Sequence, residues 1–302
     1  MSINTWYRSG AIDKFLESDA PPHMKLLCAF SYGHPDDVKL VTAELLNASE
    51  RLPKNERLML ARATLLTAWL YERVDERIHF LLNTIKSNQI VSSSDFGYEV
   101  LEGAYQFIHK MYQIDGFNRL ALENPSEFAV LGDSHIIGFT HVYKNGRFIY
   151  IPGIRLSLLS SPQQNLKLVG LRNFFLHHYT SRNILINVGE IDVRSYFVNG
   201  RNSGSDGYEM LTSQTVKAFE AIAEVAGRHQ KVTMVVPPCR RLEDPKMWRK
   251  YLNYAELFKT EAVLKGFSVI EYPFCSEADL IDHAHFFPDT YQHVLQTYLE
   301  II

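Results

Sequence analysis

The chain has 302 residues, 46% of them hydrophobic and 22% charged, which is ordinary for a globular protein with one large or two modest domains. The formal net charge of −3 gives no long-range attraction to a polyanion. No basic patch stands out either, which argues against nucleic acid as a partner. No stretch approaches the roughly eighteen apolar residues of a membrane span, so we expect no membrane span.

The cysteines Cys28, Cys239 and Cys275 are odd in number and lack the spacing of metal-binding or redox motifs. This pattern indicates reduced thiols in an intracellular protein. Residues 1–8 lack the basic region and following apolar stretch of an export signal. We therefore expect a cytoplasmic protein.

Helical periodicity extends over residues 36–113, where apolar side chains recur at spacings of three and four residues. Breaks near Pro53, near Asp75 and across 91–97 divide this stretch into about four helices of about 15 residues each. We expect residues 1–124 to form helical hairpins, either as a cap on the following domain or as a short helical-repeat array. No self-similar signature supports the repeat. This helical region is also the candidate site for a protein partner.

Helix signals give way to strand signals at residues 124–126, where we predict a domain boundary. Apolar runs of strand length follow at 128–131, 148–151, 184–188, 232–236 and 267–271. Helical stretches separate the last three, most clearly at 208–227 and 245–265. Short apolar strands alternating with helices predict a parallel sheet covered on both faces. We therefore expect residues 125–302 to form a three-layer α/β/α domain of flavodoxin-like kind with a five-stranded parallel sheet.

The first of these strands ends in Gly132-Asp133-Ser134 and continues into a segment compatible with a helix. Such sheets place their ligands at the carboxyl edge of the strands, where Ser134 would lie. A serine becomes a nucleophile only when an imidazole can take its proton and a third group orients that imidazole. Asp282 and His285, just before a final helical pattern, are the candidates for this pair.

Two other interpretations of the segment around Asp282 are open. It could simply be the start of the final helix. Alternatively, His283 and His285 could bind a metal together with Asp282, but no second ligand cluster of suitable spacing appears, so we predict no metal. His135 follows the serine at a helix start, which makes it a candidate substrate contact or structural donor and not the base.

The blocks around Ser134 and Asp282 resemble those of the SGNH/GDSL hydrolase family, over roughly residues 126–302. Gly132-Asp133-Ser134 matches the first block of that family, and the Asp282-x-x-His285 pattern matches its last block. The resemblance implies an α/β/α fold in which Ser134 is the nucleophile, His285 the general base and acid, and Asp282 the residue that orients the histidine. It leaves the helical N-terminal region unexplained.

That family stabilises the oxyanion with the backbone N–H of the serine, the N–H of a glycine in a second block, and an asparagine in a Gly-x-Asn-Asp block. The backbone of Ser134 would supply the first donor. Gly153, directly after the second strand, is the candidate for the second, although Pro152-Gly153 is equally typical of an ordinary turn.

The third block departs from the family pattern, because Ile191 stands where the asparagine is expected. Loss of one oxyanion donor typically costs about 10²–10³ in rate. Arg194, which is always charged and a strong donor, is a candidate replacement. The alternatives are an acyl transfer with different demands, or a protein that has lost catalysis and kept the fold.

Two acids and an arginine lie within five residues of one another in this third block. Glu190, Asp192 and Arg194 are either a self-satisfied ion pair that caps the next segment or contacts to a polar substrate such as a sugar. The full predicted set of substrate-binding residues is Asp133, His135, Gly189, Glu190, Asp192 and Arg194.

These observations favour a serine-dependent acyl ester hydrolase or O-acyltransferase that acts on an O-acylated carbohydrate. No cofactor is implied for a hydrolase, whereas a transferase would need an acyl donor such as acetyl-CoA. The alternative from another class is a catalytically inactive SGNH-like module that binds a carbohydrate or a protein, which Ile191 favours. A structural scaffold for the helices is a third hypothesis.

Overall fold

A computed structural model describes residues 17–32, 35–47, 49–86, 96–116, 119–122, 127–143, 145–161, 166–177, 181–198, 205–227, 230–239, 242–273, 280–282 and 285–302. Within these residues the chain begins with helices and continues as an α/β sheet domain. The helices before the sheet are α1 (Pro22–Tyr32), α2 (Pro35–Asn47), α3 (Lys54–Thr67), α4 (Asp75–Lys86) and α5 (Phe96–Asp115). A 3₁₀ turn (Ser49–Arg51) follows α2, and a π-helical turn (Ala68–Glu72) extends α3.

The sheet has five parallel strands in the order β2-β1-β3-β4-β5. Its strands are β1 (Phe128–Gly132), β2 (Arg147–Tyr150), β3 (Asn183–Asn187), β4 (Lys231–Val235) and β5 (Ser268–Ile270). The helices between and after them are α6 (His135–Val142), α7 (Leu156–Leu159), α8 (Leu166–His177), α9 (Glu190–Val193), α10 (Ser205–Val225), α11 (Pro245–Leu264) and α12 (Pro288–Ile301). A second π-helical turn (Arg194–Val198) continues α9.

The predicted α/β architecture with a five-stranded parallel sheet after several helices is confirmed. Each predicted strand overlaps an observed one, and the helix breaks predicted near Pro53 and Asp75 separate α2 from α3 and α3 from α4. Helix α1 lies within the region expected to be helical but precedes the periodic pattern, which begins only at residue 36. The predicted boundary at 124–126 lies outside the described residues.

Both faces of the sheet are covered, because successive residues of a strand alternate between two hydrophobic cores. Phe128 and Val130 lie in a core that includes side chains of α6, α12 and the N-terminal helices. Ala129 and Leu131 lie in a second core, together with side chains of α8, α10 and α11. The strands are therefore continuous apolar runs in the sequence, as expected for a sheet that is buried on both sides.

The N-terminal helices share one continuous core with the first sheet face. The indole Nε1 of Trp69 donates a hydrogen bond to the carbonyl of Ile137 in α6 at 3.1 Å, and the Trp69 ring stacks on His141. The hydroxyl of Tyr71 accepts the backbone N–H of Tyr150 in β2 at 3.3 Å. These contacts fix the helices before the sheet against α6, which follows Ser134, and against β2, which pairs with β1.

Helices α6 and α12 approach each other closely at Gly138. A Cβ built on Gly138 would lie 2.3 Å from the ring of Tyr291 in α12, a distance that no side chain tolerates. The absence of a side chain at Gly138 therefore lets the Tyr291 ring lie against α6. This packing brings the Tyr291 hydroxyl to the start of α6, beside the candidate site.

None of the described helices is both long enough and apolar enough to cross a membrane. Cys28 is buried and Cys239 is partly exposed, and both carry free thiols. Burial raises the pKa of Cys28 to about 12, although nearby Lys167 opposes the shift. Cys275 lies outside the described residues.

Candidate active site

Ser134 lies in the tight connection between β1 and α6, at the carboxyl edge of the sheet. Its backbone angles, φ −56° and ψ −22°, are those of a helix, so the connection needs no strained conformation at this position. Asp133 and His135 are buried on either side of it, whereas Ser134 remains partly exposed. Ser134 is thus the accessible residue of this turn.

The hydroxyl of Ser134, the imidazole of His285 and the carboxylate of Asp282 form one hydrogen-bonded chain. Ser134 Oγ lies 2.7 Å from His285 Nε2, and His285 Nδ1 lies 3.0 Å from each carboxylate oxygen of Asp282. Because a carboxylate only accepts, Nδ1 carries the proton and Nε2 is free to accept the serine O–H. The structure therefore brings the predicted Ser134, Asp282 and His285 together, in an order suited to proton transfer.

A short turn holds Asp282 and His285 as one unit. The backbone N–H of His285 donates to Asp282 Oδ1 at 3.0 Å, and the backbone N–H of Ile281 donates to the carbonyl of His285 at 2.7 Å. Leu280 and Phe286 form an antiparallel bridge across the base of the turn. The three-residue spacing recognised in the sequence is thus the spacing that lets one carboxylate hold both the backbone and the ring of the histidine.

Phe107 of α5 provides the surface on which the His285 ring rests. The two rings are nearly parallel, with an interplanar angle of 15° and centroids 4.0 Å apart. One turn further along α5, Lys110 Nζ donates to the carbonyl of Ile281 at 3.4 Å. A helix from the N-terminal region therefore contacts the turn that carries the candidate general base.

His135 is buried and hydrogen-bonded to a side chain of α12. Its Nδ1 lies 3.0 Å from the hydroxyl of Tyr291, which also accepts the backbone N–H of Phe286 at 3.3 Å. Burial lowers the pKa of His135 well below its ordinary value, and the neighbouring His285, at a ring distance of 5.3 Å, adds to the shift. His135 is therefore a neutral imidazole, and its Nε2 has no hydrogen-bond partner among the described residues.

Asp133 and Glu190 are buried carboxyl groups near the serine. Burial raises the pKa of Asp133 to about 7 and that of Glu190 to about 8. Asp133 Oδ1 accepts the backbone N–H of His135 at 3.2 Å, while its Oδ2 has no hydrogen-bond partner in the described part of the chain. Glu190 Oε1 lies 3.0 Å from Nε of Arg194. Both carboxyl groups interact with Arg194, which joins them in one electrostatic cluster.

The side chain of Arg194 is the partly exposed member of this cluster. It is 24% exposed, and its Nε lies 3.0 Å from Oε1 of Glu190. The pair of Glu190 and Arg194 expected from the sequence is therefore present, and the arginine side chain remains partly exposed.

Asp192 has a clear local role. Its Oδ2 accepts the backbone N–H of Leu156 at 2.8 Å, which ties α9 to the start of α7. It also lines a cavity of about 250 Å³ together with Arg155, Ser157 and Gln214. Asp192 therefore combines a structural bond with a position at a cavity wall.

Gly153 and Gly189 lie in turns at the same edge of the sheet. Gly153 has φ +63° and follows β2, where the Ile151 N–H still pairs with the carbonyl of Gly132 at 2.9 Å. Gly189 has φ +103° and precedes α9, and a Cβ there would lie 2.8 Å from Leu156 and Pro237. Glycine is favoured at both positions because it adopts a positive φ without strain. Gly153 therefore lies next to the strand that carries Ser134.

Several contacts of the site were not foreseen from the sequence. Asn187, the last residue of β3, donates from Nδ2 to the hydroxyl of Tyr272 at 2.6 Å. Gly132 leaves room for this strand end, because a Cβ on it would lie 2.5 Å from the Asn187 carbonyl. Phe107, Tyr272 and Tyr291 carry only the pattern of apolar core residues, so no local signal marks them.

The metal alternative finds no support in the part of the chain that the structure describes. No group of three or more His, Cys, Asp or Glu side chains there could hold a metal ion. His283, which the metal alternative requires, lies outside the described residues.

Comparison of the sequence with models of protein families gives no match, and no curated protein matches it either. The chemistry of this site is therefore indicated by its own geometry.

Proposed function

We propose that this protein is a serine-dependent acyl ester hydrolase or O-acyltransferase of SGNH type, acting on an O-acylated carbohydrate. The observation that carries the proposal is the 2.7 Å separation of Ser134 Oγ and His285 Nε2, with Asp282 bonded to the other ring nitrogen at 3.0 Å. A buried core does not need an alcohol, an imidazole and a carboxylate in this order, whereas nucleophilic catalysis does.

The strand order supports the same proposal. The order β2-β1-β3-β4-β5 is that of flavodoxin-like doubly wound sheets, which bind ligands where the direction of winding reverses. That reversal occurs at β1, which has β2 on one side and β3 on the other. Ser134 follows β1 directly, so the proposed nucleophile lies at the position where this architecture collects its ligands.

In the proposed reaction, Ser134 Oγ attacks the acyl carbon while its proton passes to His285 Nε2. The carbonyl electron pair moves onto the oxygen, and the tetrahedral intermediate forms. When it collapses, the bond to the leaving alcohol breaks, and that alcohol takes the proton from His285. The acyl group stays on Ser134 until water or a sugar hydroxyl attacks it, with His285 again accepting the proton. The bond from the acyl carbon to Ser134 Oγ then breaks, and His285 returns the proton to the serine. Asp282 stabilises the imidazolium in each step.

The oxyanion requires preplaced donors. We assign the backbone N–H of Ser134 as one and the N–H of Gly153, at the end of the neighbouring strand, as the second. Arg194 is the third, in place of the asparagine that Ile191 replaces. Its Nε is held by Glu190 and its side chain is 24% exposed, which supports this role. Asp133, His135, Gly189 and Glu190 then shape the floor of the site around the substrate.

Hydrolysis and transfer share all of these residues and differ in the acceptor. A transferase would take its acyl group from a donor such as acetyl-CoA and would keep water away from the acyl-enzyme. A catalytically inactive SGNH-like binding module is the second candidate, and Ile191 is the observation that favours it.

A fluorophosphonate probe distinguishes the enzyme from the binding module. We expect the wild type to be labelled covalently and the Ser134→Ala variant to be unlabelled. Ser268→Ala, which changes an exposed serine at the start of β5, is the matched control and keeps full labelling. An unlabelled wild type that still binds a glycan would overturn the proposal in favour of the binding module.

A further inference from the structure

A cavity of about 230 Å³ lies between α11 and the connections that follow β4 and β5. Trp248 and Tyr251 of α11 line one side, and Tyr272, just beyond β5, lines the other. Lys259, Glu256 and Glu271 line its charged end, where the lysine forms ion pairs with both glutamates. The cavity thus combines aromatic walls with a charged end.

This cavity lies at the same edge of the sheet as Ser134. With neighbouring strands about 4.8 Å apart, the ends of β4 and β5 are roughly 10–15 Å from the end of β1. Tyr272 connects the two places, because its hydroxyl accepts from Asn187 at the end of β3 and its ring packs 4.9 Å from that of Phe286. Phe286 directly follows His285, so one wall of the cavity supports the turn that carries the histidine.

The cavity is on the side of the site where the leaving alcohol belongs. If the proposed function holds, His285 gives its proton to the leaving alcohol, so that alcohol must lie on the histidine side of Ser134. The oxyanion donor Gly153 lies on the opposite side, after β2. The cavity beyond β4 therefore faces the alcohol part of the substrate and not the acyl part.

The lining favours a sugar over an apolar group. Trp248 stacks on the buried Tyr251 with centroids 5.3 Å apart, and the partly exposed indole offers a flat apolar surface of the kind that the C–H face of a pyranose ring covers. The carboxylates of Glu256 and Glu271 accept hydrogen bonds and the ammonium of Lys259 donates them, which matches sugar hydroxyls. A hydrocarbon chain would displace water from these polar groups without offering them a hydrogen bond in exchange.

We propose that this cavity is a subsite for one pyranose unit of the carbohydrate alcohol, a unit next to or one removed from the sugar that carries the acyl group. This inference rests on the proposed function and adds to it the position of the alcohol. Trp248 supplies the stacking surface, and Glu271 supplies the hydroxyl acceptor nearest to β5.

The test uses the full chain with Ser134→Ala, so that binding is measured without turnover. Saturation-transfer NMR is recorded with glucose, galactose, mannose and N-acetylglucosamine as probes. We expect at least one of them to receive saturation from the protein, and Trp248→Ala in the same background to weaken that binding about tenfold. Leu264→Ala, an exposed position at the end of α11, is the matched control and leaves binding unchanged.

A further variant and a separate measurement keep the result interpretable. Glu271→Gln retains the size of the side chain, and we expect it to weaken the same sugar even if Trp248→Ala does not fold. Fluorophosphonate labelling of the wild type, which does not depend on sugar binding, is measured separately and distinguishes failure of this subsite from failure of the proposed function. Binding of none of the four sugars would overturn the subsite. So would binding that survives both substitutions, or binding of octanoate that Trp248→Ala abolishes.

Discussion

His285 is held by a different group on each side of its ring. Asp282 accepts from Nδ1, Ser134 lies at Nε2, and the ring of Phe107 covers one face. These contacts fix the tautomer, the direction and the plane of the imidazole. A histidine held this way needs little reorganisation to take a proton from the serine, which is the property that nucleophilic catalysis requires.

Replacement of Asp282 by asparagine tests the orienting role of its carboxylate. Asn has nearly the same shape, but its amide N–H group donates to Nδ1 and therefore favours the wrong tautomer of His285. We expect the rate of p-nitrophenyl acetate hydrolysis to fall by about 10⁴, with little change in the thermal midpoint. Asp289→Asn, an exposed change in the first turn of α12, is the control. A hydrolysis rate within tenfold of the wild type would remove Asp282 from the proposed mechanism.

Glu190 gives the stability of the protein a defined dependence on pH. Burial raises its pKa from the ordinary 4.5 to about 8, against the opposing effect of Arg194. Between these values the folded state holds a proton that the unfolded state has lost. The contribution of Glu190 to the free energy of unfolding is therefore complete below about pH 4.5. It declines as the pH rises to about 8, by at most about 1.4 kcal/mol per pH unit.

The Glu190→Gln variant lacks this titration. We expect its stability relative to the wild type, measured by urea unfolding, to be higher at pH 8 than at pH 5. Glu209→Gln, on the exposed face of α10, is the matched control. We expect its stability relative to the wild type to be the same at the two pH values. A Glu190→Gln variant that instead loses more stability at pH 8 would mean that the carboxylate is charged and that its pair with Arg194 dominates.

Helix α5 is the element that connects the N-terminal region to the site. Replacing Phe107 by leucine keeps an apolar side chain in the core but removes the flat surface under His285. We expect kcat for p-nitrophenyl acetate to fall about tenfold with KM nearly unchanged, because the imidazole loses its orientation while substrate contacts remain. Phe30→Leu, another buried phenylalanine of the same core, tests for general destabilisation. Equal losses in both variants would show that Phe107 has no specific role.

The strands were predictable because a parallel sheet that is buried on both sides leaves a strong local signal. Each strand is a short apolar run between polar or turn residues, and the predicted ends agree with the observed ends to within one residue. Asp282 and His285 were predictable because one local turn holds both. Phe107, Tyr291 and Asn187 were not, because their roles depend on pairings between distant segments that no local pattern records.

The helices before the sheet and the sheet domain share one core at the scale of the whole molecule. Without residues 1–126, Phe128 and Val130 of β1 would lie on a face left partly uncovered, and His285 would lose Phe107. We therefore expect a chain that begins at Glu127 to be insoluble or to bind the hydrophobic dye ANS strongly. Size-exclusion chromatography and ANS fluorescence compare the aggregation and the exposed apolar surface of the shortened chain with those of the full chain. A shortened chain that is monomeric and cooperatively folded would show that the helices are dispensable for folding.

The central claim is that Ser134 is a nucleophile activated by His285, and a crystal structure after fluorophosphonate treatment tests it most directly. We predict a covalent bond from Ser134 Oγ to phosphorus, with a phosphoryl oxygen within hydrogen-bond distance of the backbone N–H groups of Ser134 and Gly153. Arg194 should supply a third contact to that oxygen. An unmodified Ser134, or an adduct on a different residue, would contradict the account.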